Sequence, residues 1–169
     1  ENPRAALAAL LPPPVAVPGT EEEVRPFSLA MFAALDAIRS RCSYRGAYES
    51  TPVSREDLTT IMEAGLAAPS GCNKQTTSLI AVDDPEVLAA LRTKIDPPVA
   101  ETAPALICVL TRRIIAYRDR CFAVQDYAAA IENMLLAVTA LGYETCWIEG
   151  QVTGPDSVGR KMADILGVP

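Results

Sequence analysis

The segment from Ala128 to Ala140 constrains the fold more than any other part of this 169-residue chain. It forms the second half of the longest predicted helix, Arg120 to Leu141, and it is apolar almost all round. Such a helix must be buried on most sides, either in a core or in a subunit interface. The length of the chain suits one domain, residues 1–169, with a main body over residues 29–169.

Two further apolar runs predict strands. Thr77–Val82 is a strand candidate, and Ala105–Leu110 is continuously apolar, as expected for a central strand covered on both faces. Tyr143–Ile148 is predicted as a last strand, and Ser157–Leu166 as a closing helix. Strands interleaved with helices indicate an α/β or α+β sandwich.

Capping residues mark the ends of several predicted helices. Ser54–Asp57 resembles a capping box, and Ser28 can cap an earlier helix. Asp84–Pro85 supplies a cap and an N1 proline before the helix Glu86–Arg92. Gly142 is predicted to cap the end of the long helix.

The net charge of −6 argues against nucleic acid as the main partner, because phosphate binding needs a basic face. No apolar run approaches the roughly 20 residues that a membrane span requires. The first residues, Glu1–Leu11, lack the layout of a signal peptide. We therefore expect a soluble, cytoplasmic protein.

The chain contains no histidine, which excludes Ser-His and Cys-His catalysis and removes the imidazole ligand from any metal site. Its five cysteines are scattered without a CxxC pair, so their spacing predicts neither a zinc site nor a redox dithiol. Chemistry must come from carboxylates, hydroxyls, thiols or a bound cofactor.

The first polar cluster, Arg39–Arg45, directly follows a predicted helix. Arg41, Ser43 and Arg45 alternate, so in an extended segment they project to the same side. Two guanidinium groups and a hydroxyl at one point suit a phosphate. Taken alone, a solvated basic turn is the simpler interpretation.

The second cluster, Ala68–Gln75, lies between a predicted helix and a strand. It combines a rigid proline, the flexible Gly71, and the hydroxyl and amide side chains of Ser70 and Asn73. Amides and exposed backbone N–H groups are what a heteroaromatic edge or a ribityl chain would need. An ordinary polar loop is the favoured interpretation when this cluster is considered alone.

The third cluster, Leu141–Gly150, follows the long helix. Its Trp147–Gly150 end closes a predicted strand in a turn whose backbone N–H groups can meet a ligand. Trp147 is the one tryptophan of the chain, and such a residue is more often part of a core than a cofactor contact.

The order and spacing of the three clusters resemble the nitroreductase family of FMN-dependent oxidoreductases. In that family an R-x-S-x-[RK] segment, an A-P-S-x-x-N-x-Q loop and an L-G-x-x-T-C-W-I-x-G segment occur in this order. This chain has RCSYR, APSGCNKQ and LGYETCWIEG, and Ile165–Pro169 matches the next landmark. The resemblance covers Met31–Pro169.

The resemblance implies an α+β, three-layer sandwich with a central mixed β-sheet flanked by helices, in a homodimer with FMN sites at the subunit interface. The basic segment would hold the FMN phosphate, the second cluster would reach the flavin from the partner subunit, and the third would lie against the isoalloxazine. The implied FMN contacts are Arg41, Cys42, Ser43, Arg45, Pro69, Ser70, Gly71, Asn73, Gln75, Ile148, Glu149 and Gly150.

The family activity implied is reduction of small electrophiles, such as nitroaromatics or quinones, by NAD(P)H through a ping-pong hydride mechanism. No catalytic side chain and no metal is assigned, and FMN is favoured over FAD because no GxGxxG-type turn is present. Other FMN chemistry, such as dehydrogenation or reductive dehalogenation, and a flavin-binding or flavin-sensing protein without turnover are the alternatives. Two departures leave the substrate open: Gln75-Thr76-Thr77 replaces a frequent Q-P-W, and the stretch from Leu91 to Pro104 is short.

In the family, the I-L-G-V-P landmark is followed by a short strand and an arm that wraps around the partner subunit. The N-terminal stretch of this chain resembles that segment. Ala5–Leu11 would be the strand, and the proline-rich Val15–Phe27 the arm, which would carry Arg25 to the FMN phosphate. One hypothesis is therefore a circularly permuted chain. A truncated chain with an unrelated N-terminal extension is an equal alternative.

Overall fold

The computed structural model describes residues 33–96, 99–150, 152, 154–155 and 158–168. The chain divides into two compact units, Glu1–Leu35 and Asp36–Pro169. Of the first unit only residues 33–35 fall within the described ranges, and they are helical. The predicted strand and arm of residues 1–28, with Arg25, the Ser28 cap and the permutation hypothesis, lie outside the described residues and stay predictions.

The described part of the chain contains five α-helices, one short 3₁₀ helix at Gly71–Asn73 and four strands, in mixed order. None of these helices is both long enough and apolar enough to cross a lipid bilayer. The elements are α1 (residues 33–40), α2 (Arg55–Leu66), β1 (Thr77–Val82), α3 (Pro85–Arg92), β2 (Leu106–Thr111), β3 (Ile115–Tyr117), β4 (Arg120–Cys121), α4 (Ala123–Ala140) and α5 (Val158–Leu166).

Three predicted caps are confirmed, two at the start of a helix and one at the end of a helix. The Ser54 hydroxyl accepts a hydrogen bond from the Asp57 N–H at 3.0 Å, which starts α2. The Asp84 carboxylate accepts from two backbone N–H groups, each at 3.0 Å, and starts α3. Gly142, with φ +83°, donates to the Thr139 carbonyl at 3.1 Å and closes α4. Each cap satisfies backbone groups that the helix itself leaves unpaired.

The core sheet is the antiparallel pair β1–β2, in which Leu79 lies opposite Val109 and Ile80 opposite Cys108. Successive side chains on a strand point to opposite faces. Leu79 and Val109 accordingly pack on one hydrophobic cluster, and Ile80 and Cys108 on another. Strand β2 is thus covered on both faces, as the apolar run in the sequence predicts.

Helices form the layers above and below this sheet. On one side α2 and α4 contribute Ile61, Ile131 and Met134 to the core. On the other side α3 contributes Leu88 and Leu91, with partly buried residues of α5 beside them. The result is a helix–sheet–helix sandwich, which confirms the predicted α+β, three-layer architecture.

Two predicted elements differ in extent or kind. The long helix begins at Ala123, because Arg120–Cys121 pairs with Ile115–Tyr117 as a hairpin instead. Residues 143–149 form no strand. Their backbone pairing with the 41–45 segment is one hydrogen bond, from the Tyr44 N–H to the Thr145 carbonyl at 2.9 Å, rather than the repeated ladder that defines a strand.

Candidate functional site

An open cleft of about 330 Å³ brings together parts of the first and third sequence clusters. Because the Tyr44–Thr145 backbone bond fastens the two segments to each other, the end of the first cluster lies beside the third. The described lining residues are Arg45, Asp96, Val99, Cys146, Trp147, Ile148, Glu149 and Gly150. Four of them, namely Arg45, Ile148, Glu149 and Gly150, are predicted site residues.

Trp147 lies on the surface of the described chain and lines this cleft, with 38% of its area exposed. The more frequent role of a lone tryptophan, as a core residue, is therefore wrong for this chain. A large indole surface left in an open cleft is available to pack against an aromatic ligand.

The remaining residues of the first cluster lie outside the cleft lining. Arg41 is half-buried, and its Nε lies 3.8 Å from Glu132 on α4. The Cys42 thiol donates to Glu144 at 3.5 Å, and this hydrogen bond to a carboxylate raises the pKa of the thiol. Ser43 is exposed. A distance of 3.8 Å is a loose ion pair, so the Arg41 guanidinium keeps donors for another anion.

The second cluster forms a tightly held loop with unusual backbone geometry. Cys72, Asn73 and Gln75 have φ values of 50°, 53° and 47°, in the left-handed region that non-glycine residues rarely adopt. The Ser70 hydroxyl accepts from the Gln75 N–H at 2.9 Å and so closes the loop on itself. Left-handed non-glycine residues persist only where the surroundings hold them, and they are frequent at ligand sites.

Asp126 is the residue that holds this loop, and sequence reasoning missed it. Its carboxylate is 4% exposed and accepts from the Gly71 N–H and the Thr76 hydroxyl, both at 2.7 Å. The Gly71 backbone also approaches Phe122 so closely that a Cβ would lie 2.5 Å from its ring. The available signal was a lone carboxylate early in an otherwise apolar helix.

Tyr127, the next residue on α4, contacts the third cluster, and it too was missed. Its hydroxyl donates a hydrogen bond to Glu149 Oε1. This bond to a carboxylate raises the pKa of Tyr127 to about 12. The raised pKa keeps the phenol protonated, and so able to donate, to a higher pH than an ordinary tyrosine.

Helix α4 thus contacts all three sequence clusters through polar side chains. Asp126 holds the second cluster, Tyr127 the third, and Glu132 lies beside Arg41 of the first. Within one described chain the second cluster, including Pro69, Ser70 and Gly71, does not line the cleft. The helix that most constrains the fold is therefore also the element that positions the candidate site.

Comparison with known proteins gives the family of this site. Residues 38–100 and 92–169 match the model of the nitroreductase family. A protein of Archaeoglobus fulgidus, provisionally named NADH dehydrogenase/NAD(P)H nitroreductase, is 31% identical over 140 residues, which cover 82% of this chain and 79% of that protein.

Solved structures agree with this match. A provisionally named nitroreductase from Desulfovibrio desulfuricans, in complex with FMN, is 30% identical and superposes with a TM-score of 0.68 over 80% of this chain and 77% of that one. A provisionally named NADH dehydrogenase/NAD(P)H nitroreductase from Bacteroides thetaiotaomicron is 24% identical, with a TM-score of 0.71 over 81% and 78% of the two chains, and supports the fold. The three motifs, the sandwich and the family match lead to one conclusion: this chain belongs to the nitroreductase family.

Proposed function

We propose that this protein binds FMN and uses NAD(P)H to reduce small electrophiles such as nitroaromatics or quinones. The observation that carries the proposal is the cleft that Arg45 and the Trp147–Gly150 segment line together. An anion-binding group beside an exposed aromatic surface suits a ligand with a phosphate and a planar ring system. The FMN complex of the Desulfovibrio relative supports the same assignment.

The donor set of the cleft fits FMN. Among the described residues no carboxylate lies within 4.0 Å of the Arg45 guanidinium, which leaves its donors for a phosphate. Arg41 is only loosely paired, and Ser43 is exposed beside it. The Ile148–Gly150 segment, which also lines the cleft, adds backbone amide groups.

Each part of the site then has a role in binding. Arg41, Ser43 and Arg45 would hold the phosphate, with the Cys42 backbone beside them. Trp147 and the Ile148–Gly150 backbone would pack against the ring and exclude water from it. FMN, when bound, supplies the transfer of two electrons between NAD(P)H and the acceptor, and the protein supplies placement and electrostatics.

The loop Pro69–Gln75 completes the proposed site from the partner subunit of a homodimer. Its exposed Asn73 and Gln75 offer amide groups, and Asp126 keeps the loop in one shape before any ligand arrives. A loop held in its binding conformation loses little entropy on contact with a ligand. The cytoplasmic location and the homodimer stay predictions.

A visible spectrum of the purified protein, followed by anaerobic titration with NADH and NADPH, tests the proposed function. We expect bound FMN that either nucleotide bleaches rapidly and that a quinone or nitroaromatic reoxidises. Arg45→Ala should weaken FMN binding about tenfold or more, because a charge-assisted contact to phosphate is lost. Arg113→Ala, an exposed arginine outside the cleft lining, is the matched control.

Three outcomes would contradict the proposal in different ways. A protein with no affinity for added FMN removes the cofactor assignment. Bound flavin that neither nucleotide reduces indicates a flavin-binding or flavin-sensing protein. Reduced flavin that transfers electrons to neither class of acceptor indicates another FMN chemistry on this fold.

A further inference from the structure

Two side chains of opposite charge, Arg45 and Glu149, line the same cleft without forming an ion pair. At a partly exposed site a guanidinium and a carboxylate attract each other, and the bidentate pair that they form is favourable. Such a pair would occupy the arginine donors that the proposed phosphate needs. In this structure Glu149 contacts a different group instead.

Tyr127 provides that contact. It projects from α4 and donates its hydroxyl hydrogen to Glu149 Oε1, so the carboxylate is held towards the helix. Both side chains are partly buried, which strengthens a hydrogen bond to a charged acceptor relative to one in water.

We propose that Tyr127 is a positioning residue of the FMN site, which holds the Glu149 carboxylate against α4 and so keeps Arg45 available for the phosphate. The inference rests on the proposed function, since it concerns the affinity for FMN. Without the Tyr127 hydroxyl, the Glu149 carboxylate is free to pair with Arg45. FMN must then compete with that carboxylate for the guanidinium.

The test is a double-mutant cycle on the full chain, with the dissociation constant of FMN as the readout. Apoprotein is titrated into FMN, and binding is followed by flavin fluorescence and by the visible spectrum. Tyr127→Phe removes only the hydroxyl, and Glu149→Gln removes the competing charge but keeps an oxygen acceptor. Tyr143→Phe is the matched control, because its hydroxyl donates to Asp57 at 2.7 Å, outside the cleft lining. Asp96, the other carboxylate of the cleft, is unchanged in every variant.

We expect Tyr127→Phe to raise the dissociation constant about fivefold, because FMN must then displace an ion pair at a partly exposed site. The double variant should return to within about twofold of the wild type, because non-additivity reports a direct interaction. Glu149→Gln alone should bind FMN at least as tightly as the wild type, and Tyr143→Phe should match the wild type.

Recovery of FMN affinity in the double variant distinguishes the two roles that Tyr127 could have. If Tyr127 only packed against its neighbours, the double variant would bind FMN as weakly as Tyr127→Phe. That result, or a Tyr127→Phe variant that binds like the wild type, would overturn the inference while the FMN assignment stands. If Tyr127→Phe does not fold, a Glu149→Gln variant that binds FMN more weakly than the wild type overturns the inference equally. A wild-type protein that does not bind FMN removes the proposed function itself.

Discussion

Asp126 shows how one buried side chain determines the shape of a binding loop. A buried carboxylate is costly unless hydrogen bonds compensate it, and this one has two short bonds, to the Gly71 N–H and the Thr76 hydroxyl. Both donors belong to the segment that contains the left-handed residues Cys72, Asn73 and Gln75. The strain of the loop is therefore offset by a contact outside it, on α4.

The Asp126 contact predicts a clear stability effect. Thr76→Val leaves one oxygen of the buried carboxylate without its partner, so we expect the free energy of unfolding to fall by about 2 kcal/mol. Urea denaturation measures it. Thr59→Val, which removes an exposed hydroxyl bonded to the Arg55 carbonyl at 2.7 Å, should change stability by less than about 0.5 kcal/mol. Equal stability of the two variants would contradict the assigned role of Asp126.

At the scale of secondary structure, the C-terminal end of α4 is joined to the first turn of α2. Gly142 and Tyr143 donate to the Thr139 and Val138 carbonyls at 3.1 and 3.0 Å, which is a Schellman cap at the end of α4. Tyr143 then donates its hydroxyl to Asp57 in the first turn of α2, at 2.7 Å. One residue beyond a helix cap thus joins the end of one helix to the start of another.

Gly142→Ala should destabilise the protein by about 1 kcal/mol, since alanine is strained at positive φ. A Cβ at this position meets nothing within 4 Å, so backbone conformation is the only cost. Gly142→Asn should cost clearly less, because asparagine tolerates the left-handed region better. Thermal unfolding followed by circular dichroism compares the two variants, and an alanine variant as stable as the wild type would exclude the strained cap.

The Asp57 carboxyl group makes the stability of this contact between α2 and α4 depend on pH. Hydrogen bonds from Tyr143, chiefly, and from Ser54 lower its pKa below the ordinary 3.8. A depressed folded-state pKa contributes stability that is present above the unfolded value and is lost as pH falls through the folded one. Urea midpoints measured from pH 5 downward, at about one-unit steps, should therefore drop less steeply in Tyr143→Phe than in the wild type. Parallel curves would show that this hydrogen bond does not shift the carboxyl group.

At the scale of the whole molecule, the described chain leaves large apolar side chains on its surface. Val124 and Leu141, at the two ends of α4, are 59% and 40% exposed, and Leu66 on α2 is 60% exposed. Within Ala128–Ala140, the segment predicted to be buried on most sides, every residue except Glu132 and Ala140 is buried or partly buried, so the exposed apolar side chains of α4 flank it. A second subunit is the partner we expect to cover these side chains.

We predict a homodimer at micromolar concentration, with an interface above roughly 2,000 Å². Because the proposed loop acts from the partner subunit, dilution that separates the subunits should also release FMN. Sedimentation velocity detected at both protein and flavin wavelengths measures the two events together. A monomer that retains bound FMN would contradict the homodimer and the role of the loop.

Local signals were enough to predict much of the fold. Thr77–Val82 is a strand with the predicted bounds, and Ser54, Asp84 and Gly142 cap helices where their chemistry indicates. These features depend on groups a few residues apart, so the sequence alone contains the interacting partners. The spacing of the motifs likewise predicted the family, which the match to the family model confirms.

Contacts between distant residues were decided only by the tertiary structure. Asp126 lies 55 residues from Gly71, and the residues next to it in the sequence do not predict its hydrogen-bond partners. Tyr127 meets Glu149 only because the chain turns back after α4, and that turn also brings the third cluster to Arg45. The sequence by itself determined which side chains bear the chemistry and where helices and strands begin. Packing of the helices on the sheet decided which of those side chains are buried, which are paired and which face the cleft, because burial and pairing depend on residues that are neighbours only in the folded chain.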